Sequence, residues 1–166
     1  MNELVRLSRI HKQHGIIVDT NILLLLVVGL VNVNYIAAYK RTAMFTGEDY
    51  YILLNALTFF DTHLVTPHVL TEVSNLIGQS SNPSPEKLRT VLRRLIPRCN
   101  EVSRDSASLA NRPEFLQFGI ADTGIAELAS SGALVLTDDS KLYHYLSGTG
   151  RSVVNFNHIR TYARNV

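Results

Sequence analysis

The sequence predicts an α/β fold of three layers, α/β/α, in which helices cover both faces of a short central parallel sheet. Short apolar runs that suit buried strands alternate with longer segments of helical periodicity. Two of the apolar runs end in aspartate, a residue often found where a parallel strand meets the next helix. The 166 residues, of which 46% are hydrophobic and 18% charged, suffice for one domain with its own core. We therefore expect residues 1–166 to form a single domain, with its core at about 16–156.

Strand and helix alternate in the first half of the chain. The predicted elements are a strand at 16–18, a helix at 22–31, an irregular connection at 32–47, a helix at 48–60, a strand at 63–65 and a helix at 67–77. Thr66 followed by Pro67 is a good N-cap with proline at the first helical position. This pair therefore indicates where the helix after the second strand begins.

The second half continues the alternation after a polar loop. The predicted elements are a loop at 78–85, an amphipathic helix from 84 to 96, a helix at 120–130 that begins near Asp122, a strand at 133–137, a helix at 140–146 and a strand at 152–156. The sequence shows no internal repeat and no linker that would separate a second domain.

The leucine-rich run 22–31 has a second interpretation, because basic residues precede it as they do in a signal peptide. The run is shorter than the ~20 apolar residues that a spanning helix needs. A cleaved signal peptide would also remove Asp19 and Asn21. We therefore predict a core helix, with no membrane association.

A single cysteine, Cys99, excludes an internal disulfide and is consistent with a reducing, cytoplasmic location.

Charge is unevenly distributed along the chain. Residues 85–104 carry a net charge of +4, residues 105–139 carry −5, and residues 140–166 contain no acid. Such segregation suits a cation-holding site beside surfaces that meet an anion, although segments of this length also drift in charge by chance. The candidate anion-binding residues are Arg89, Arg93, Arg94, Arg98 and Arg151. A solvated helix face explains the arginines of 85–104 equally well.

Acidic residues occur at four places where a doubly wound sheet exposes its carboxyl edge. Asp19 and the pair Asp138-Asp139 each follow a predicted strand, Asp122 lies at a predicted helix start, and Glu72 lies one turn inside another helix. Taken singly, each aspartate is explained by helix capping and Glu72 by solvation. Taken together, they would repel one another by roughly 4 kcal/mol per pair at ~4 Å unless protons or cations intervene. With a single Cys and neither a zinc-protease nor a zinc-finger histidine pattern, the ligand chemistry favours Mg²⁺ or Mn²⁺.

The segments around these acids resemble the ordered motifs of PIN-domain nucleases. They are Ile-Ile-Val-Asp-Thr-Asn-Ile-Leu (16–23), Thr-Pro-His-Val-Leu-Thr-Glu-Val (66–73), Gly-Ile-Ala-Asp-Thr-Gly-Ile-Ala-Glu-Leu-Ala (119–129) and Val-Leu-Thr-Asp-Asp-Ser-Lys-Leu (135–142). The resemblance implies that Asp19, Glu72, Asp122 and Asp139 are the catalytic, metal-binding residues. It also implies that Asn21 and Thr137 orient them. Asp138 matches the variable residue of the motif, and we expect it to cap the next helix or to face water.

The resemblance further implies a Mg²⁺- or Mn²⁺-dependent endoribonuclease that cleaves single-stranded RNA. Free-standing members of this size are often toxins held by an antitoxin protein, usually as homodimers.

Three other classes compete with this interpretation. An inactive nucleic-acid or protein-binding module would have no need of clustered charge. A haloacid-dehalogenase-type phosphatase would need a second acid where Asn21 stands. A receiver domain would need a further acidic pair near the first strand and a lysine after a later strand.

Overall fold

The sheet is built from five strands in the structure, a computed structural model that describes residues 2–164 and the side chains of 5–163. The strands are β1 (Ile16–Val18), β2 (His63–Val65), β3 (Asn100–Glu101), β4 (Leu134–Thr137) and β5 (Val153–Asn155). All pairings are parallel, in the order β3-β2-β1-β4-β5, and helices flank the sheet. The predicted α/β class with three layers is therefore confirmed.

Helices connect and precede the strands. They are α1 (Asn2–His11), α2 (Thr20–Val31), α3 (Tyr35–Ala38), α4 (Gly47–Leu57), α5 (Pro67–Gly78), α6 (Pro85–Leu95), α7 (Ser106–Ala110), α8 (Phe115–Ala129), α9 (Ser140–Gly148) and α10 (Phe156–Arg164), with a 3₁₀ turn at Ile96–Arg98. Three helices that follow strands begin at side-chain N-caps, Asp19 for α2, Thr66 for α5 and Asp139 for α9. Each cap accepts backbone N–H groups of the first turn, which the helix itself cannot satisfy.

The direction of the connections reverses between β1 and β4. From β1 the chain moves through β2 to β3 on one side, and from β4 it moves to β5 on the other. Because parallel crossovers are right-handed, opposite directions of travel put the connecting helices on opposite faces. The segments that leave the carboxyl ends of β1 and β4 therefore diverge and form a crevice, which is where sheets of this kind bind ligands.

The leucine-rich run forms core, as predicted. Within α2, Ile22, Leu24 and Val28 are fully buried, and most of the helix packs among α4, α5 and α6. Burial of one such side chain contributes about 1.5–3 kcal/mol relative to leaving it exposed. Over residues 2–164, none of the helices has the length and apolar character needed to span a bilayer.

Several elements differ from the prediction. Residues 32–47, predicted to be irregular, contain the short helix α3. The helix predicted at 120–130 is present, but in α8 a short helical segment from Phe115 precedes it, and the two meet at Gly119, whose backbone is not helical (φ +74°). The last strand stops at Asn155, because Phe156 already begins α10. Helices α1 and α7 and strand β3 were not predicted from the sequence. Strand β3 escaped detection because both of its residues are polar and exposed, so that they form no apolar run.

Candidate functional site

Asp19 is held at three points in the crevice between β1 and β4. Its side chain follows β1 and is only 4% exposed. One oxygen, Oδ1, accepts the Ile22 N–H at 2.9 Å and so caps α2. The other, Oδ2, accepts the Asp138 N–H at 3.1 Å and the Thr137 hydroxyl. Because β1 pairs with β4, residues after the two strands meet, and Thr137 orients Asp19 as the resemblance implies.

The position of Asp19 makes ionisation costly. Burial raises its pKa to about 7, and the negative charge of Asp138 acts in the same direction. The hydrogen bonds from Thr137, Ile22 and Asp138 favour the ionised form, but burial outweighs them. At neutral pH this carboxyl is therefore balanced between its protonated and ionised states.

The two neighbouring aspartates after β4 have different roles, and the expectation that Asp138 caps the next helix is wrong. Asp139 is the cap, since its Oδ1 accepts the N–H groups of Lys141 at 2.6 Å and Leu142 at 3.1 Å. The physical reason is position: α9 begins at Ser140, so the extended residue directly before it is 139. Both bonds end on Oδ1 of Asp139, so its other oxygen, Oδ2, takes no part in the cap.

Asp138 turns instead toward Asp19 and α2. Its Oδ1 accepts the side-chain amide of Asn21 at 3.1 Å, and its main-chain carbonyl accepts the Asn157 amide at 3.1 Å. Burial and the charge of Asp139 raise the pKa of Asp138, while the Asn21 bond and the nearby Arg160 lower it. Asn21 therefore orients an acid, but the acid is Asp138.

Asp122 lies three residues after the bend of α8 at Gly119. Its surroundings raise its pKa to about 7, first through burial and then through the charges of Asp139 and Glu72. Glu72 projects from α5, and its Oε2 accepts the Thr20 hydroxyl at 2.7 Å. Both acids thus lie at the edge of the sheet that holds Asp19.

The five acids form a closed series of neighbours, which we name the carboxylate ring. Their order is Asp19, Asp138, Asp139, Asp122 and Glu72. Each of the first four acts electrostatically on the acid that follows it. The series closes through Thr20, which follows Asp19 in sequence and donates its hydroxyl to Glu72. The structure therefore brings all four acids of the predicted set to one edge, together with Asp138.

The carboxylate ring fits a hard cation only in an open arrangement. Among residues 5–163, no three His, Cys, Asp or Glu side chains form a group that could hold a metal ion. Mg²⁺, however, binds through one or two carboxylates and completes its octahedral coordination with water and substrate phosphate. The all-oxygen donors match such an ion, and so does the pKa of Asp122, which burial and then the charges of Asp139 and Glu72 raise.

A cleft of about 410 Å³ opens beside the ring. Glu72 and Asp122 belong to its walls as well as to the carboxylate ring. Residues of α5 and of the bent part of α8 line the cleft, namely His68, Thr71, Glu72, Asn75, Phe118, Gly119, Ile120, Ala121 and Asp122. Any group bound in the cleft would therefore lie next to the acids.

The predicted anion-binding arginines fall into two groups. Arg89, Arg93, Arg94 and Arg98 are exposed on or just after α6, and over residues 5–163 none of them pairs with an acid within 4.0 Å. Arg151 is engaged within the fold. Its guanidinium contacts Glu114 at 3.5 Å, Thr149 at 2.7 Å and Ser130 at 3.3 Å.

Three residues at the site were not found from the sequence. Thr20 orients Glu72, Asn157 binds the Asp138 carbonyl, and Arg160 opposes the charge of Asp138. Thr20 follows directly after the capping Asp19, so a helix start there could have indicated it. The other two come from α10, whose first residue, Phe156, was assigned to the end of a strand.

Fold and site together define a doubly wound α/β protein with a carboxylate ring at the switch point of its sheet. Comparisons with known protein families, with curated proteins and with solved structures find no match to this chain.

Proposed function

We propose that this protein is an endoribonuclease that hydrolyses phosphodiester bonds of single-stranded RNA and uses Mg²⁺ or Mn²⁺ at the carboxylate ring. One observation supports this most strongly. Five acids converge at the crevice of the sheet, and two of them, Asp19 and Asp122, have pKa values raised to about 7. The resemblance of the surrounding motifs to PIN-domain nucleases points in the same direction.

The energetics of the ring favour a bound cation. Each unit of pKa corresponds to about 1.4 kcal/mol of differential interaction between the two protonation states. Burial and then the charges of Asp139 and Glu72 raise the pKa of Asp122 from 3.8 to about 7, so ionising it is unfavourable, and a divalent ion would offset this penalty. Acids that served only as helix caps would not need to face one another. Asp122 caps no helix, and its side chain makes no hydrogen bond among the described residues.

The chain's own residues would divide the work as follows. Asp19 and Asp122 hold the principal ion, while Glu72 and Asp139 complete its coordination or hold a second ion. Thr137 and Thr20 keep Asp19 and Glu72 in place through their hydroxyls. When bound, the ion supplies a water of lowered pKa and stabilises charge on the phosphate oxygens.

The strand would be held by contacts outside the ring. The four exposed arginines of α6 and the turn after it (Arg89, Arg93, Arg94 and Arg98) are available to phosphate oxygens, because no acid pairs with them among the described residues. Arg151 is the least suited of the proposed contacts, since Glu114 already binds it. The products expected from this chemistry carry 5′-phosphate and 3′-hydroxyl ends.

Cleavage of a labelled single-stranded RNA in Mn²⁺, in Mg²⁺ and in excess chelator tests the proposal. We expect cleavage with either ion, none in chelator, and a loss of at least a hundredfold in Asp122→Asn. Asp61→Asn is the matched control, because the Asp61 side chain is 74% exposed and precedes β2, at the opposite edge of the sheet from the ring. Undiminished cleavage in chelator, or in Asp122→Asn, would refute the metal mechanism.

One observation favours a second function, an RNA-binding module without catalysis. The described residues contain no group of three side chains that could hold a metal ion by itself. Such a module would retain RNA in a gel-shift assay and leave it intact in Mn²⁺, so the same samples separate the two functions. The phosphatase alternative is less suited to the site, because Asn21 donates its amide to Asp138 where a second acid would be needed.

The partners of such a nuclease follow from the resemblance alone. They would be an antitoxin protein and a second copy of the chain, in the cytoplasm. The mass of the purified protein by light scattering, alone and after co-expression with a neighbouring small open reading frame, tests both partners.

A further inference from the structure

The cleft beside the carboxylate ring has the size of a binding site for one small molecule or group. Small-molecule sites occupy about 300–1,000 Å³, and this cleft, at about 410 Å³, lies at the lower end. Its walls combine apolar groups from Phe118, Ile120 and Ala121 with a few polar side chains. Glu72 and Asp122 at the ring disfavour an anionic occupant, so the cleft suits an uncharged or cationic group.

Phe118 provides an aromatic surface that the fold holds in place. Its ring centroid lies 5.1 Å from that of Tyr145 on α9, with the planes tilted by 55°. The Arg151 guanidinium lies 5.9 Å from the centre of the Tyr145 ring. Arg151 in turn pairs with Glu114, a residue only 3% exposed, which begins the segment that carries Phe118. The aromatic wall is therefore anchored on two helices.

Asn75 provides a polar group that is not used within the fold. It lies on the exposed side of α5, one turn after Glu72, and its amide makes no hydrogen bond among the described residues. Thr71, on the same wall, already donates its hydroxyl proton to the Pro67 carbonyl at 2.8 Å. An amide offers both a donor and an acceptor, the combination that pairs with the edge of a nucleobase.

We propose that the cleft binds one unpaired base of the RNA, which stacks on Phe118 and is recognised by Asn75, so that cleavage falls beside a preferred base. The inference rests on the proposed function and adds a specificity site to it. The neutral base occupies the cleft, and the phosphate that follows it lies at the ring. Bases of single-stranded RNA present their edges and faces in this way, whereas paired bases do not.

Mapping of cleavage sites tests this inference. The substrate is an unstructured, end-labelled RNA of about 40 nucleotides that contains all sixteen dinucleotides, incubated in Mn²⁺ with wild type, Asn75→Ala and Phe118→Leu. The leucine keeps most of the apolar volume that packs on Tyr145 while it removes the stacking face. Leu116→Ala is the matched control, because this side chain, two residues before Phe118, is 94% exposed and does not line the cleft.

We expect wild type and Leu116→Ala to prefer one base at a fixed position beside the cut. Asn75→Ala should reduce that preference about tenfold while it continues to cleave, and Phe118→Leu should lower kcat/KM about tenfold at every site. Circular dichroism spectra of the variants should match that of wild type. If wild type cleaves without base preference, or if Asn75→Ala keeps the wild-type pattern, the inference is overturned and the proposed function stands. A wild type that leaves RNA intact in Mn²⁺ overturns both.

Discussion

Replacing Asp122 by asparagine should stabilise the protein when no metal is present. The change keeps the shape of the side chain and removes its charge. In the folded protein the pKa of Asp122 is raised to about 7 from 3.8, by burial and by the charges of Asp139 and Glu72. At pH 8 the ionised carboxylate therefore costs up to about 4 kcal/mol relative to the unfolded chain. Side-chain relaxation and the cost of a half-buried amide reduce the net gain to about 1–2 kcal/mol.

The sign of the pH dependence follows from the raised pKa. The folded state binds a proton on Asp122 more tightly than the unfolded state does, so this group stabilises the fold fully below about pH 4. That contribution is lost as the pH rises through about 7. The stabilisation of Asp122→Asn relative to wild type should accordingly be present at pH 8 and absent at pH 4.

Thermal unfolding in chelator, followed by circular dichroism at pH 4, 6 and 8, measures the effect. For a chain of 166 residues, 1–2 kcal/mol corresponds to a rise in Tm of about 2–8 °C. Addition of Mn²⁺ at pH 8 should raise the Tm of wild type and leave that of Asp122→Asn nearly unchanged, because the ion binds the folded ring. Asp61→Asn should behave as wild type throughout. A variant that is less stable than wild type at pH 8 in chelator would refute the reasoning.

Three further predictions concern the aspartate pair after β4, the arginines of α6 and Arg160 of α10. Asp139→Asn should keep the helix cap and lose most RNA cleavage, whereas Asp139→Ala should in addition lose about 1 kcal/mol of stability in urea unfolding. Asp138→Asn should retain cleavage. An inactive Asp138→Asn would show that the wrong member of the pair is assigned. The double variant Arg93→Ala, Arg94→Ala should flatten the plot of log affinity for RNA against log salt, by about one unit of slope per lost phosphate contact; an unchanged slope would show that the exposed face of α6 does not bind the RNA backbone. Arg160→Gln should destabilise the protein by about 3 kcal/mol in urea, because Arg160 pairs with the buried Asp49 carboxylate at 3.2 Å, and Asp49 would lose this ion pair while it keeps the hydrogen bond from the Thr46 N–H; a loss below 1 kcal/mol would show that the pair is not a major support of α10.

The positions of the acids could be predicted because each follows a strong local signal. Ile16-Ile17-Val18 is an uninterrupted apolar triplet, and Asp19 ends it; Leu134 to Thr137 behaves in the same way before Asp138. A parallel sheet then brings both strand ends to the same edge, so that proximity follows from topology. The roles within the pair Asp138-Asp139 could not be predicted with the same certainty. They depend on whether α9 begins at residue 139 or 140, a difference of one residue that the pattern of apolar side chains does not resolve.

Elements without an apolar pattern of their own could not be predicted. Strand β3 consists of Asn100 and Glu101 and exists because the edge of β2 offers unpaired backbone groups, as the bond from the Val102 N–H to the Val65 carbonyl at 2.9 Å shows. In α8 the helix that carries Asp122 follows a short segment from Phe115, and the two join at Gly119 through a positive φ, which glycine accepts at little cost. In α10 the sequence shows few apolar residues, and its position is set by contacts with the adjacent β5 and with α4, which lies far away in the chain.

Helix α9 sets a length within the candidate site. Asp139 at its start belongs to the carboxylate ring, and Tyr145, six residues later, supports the aromatic wall of the cleft. At about 1.5 Å per residue, the two positions are separated by about 9 Å along the helix axis. Since a helix transmits this spacing rigidly, the acids and the cleft move together as one body. A single residue inserted between 140 and 144 would turn Tyr145 by about 100° and withdraw the support of Phe118, while the cap at Asp139 would remain.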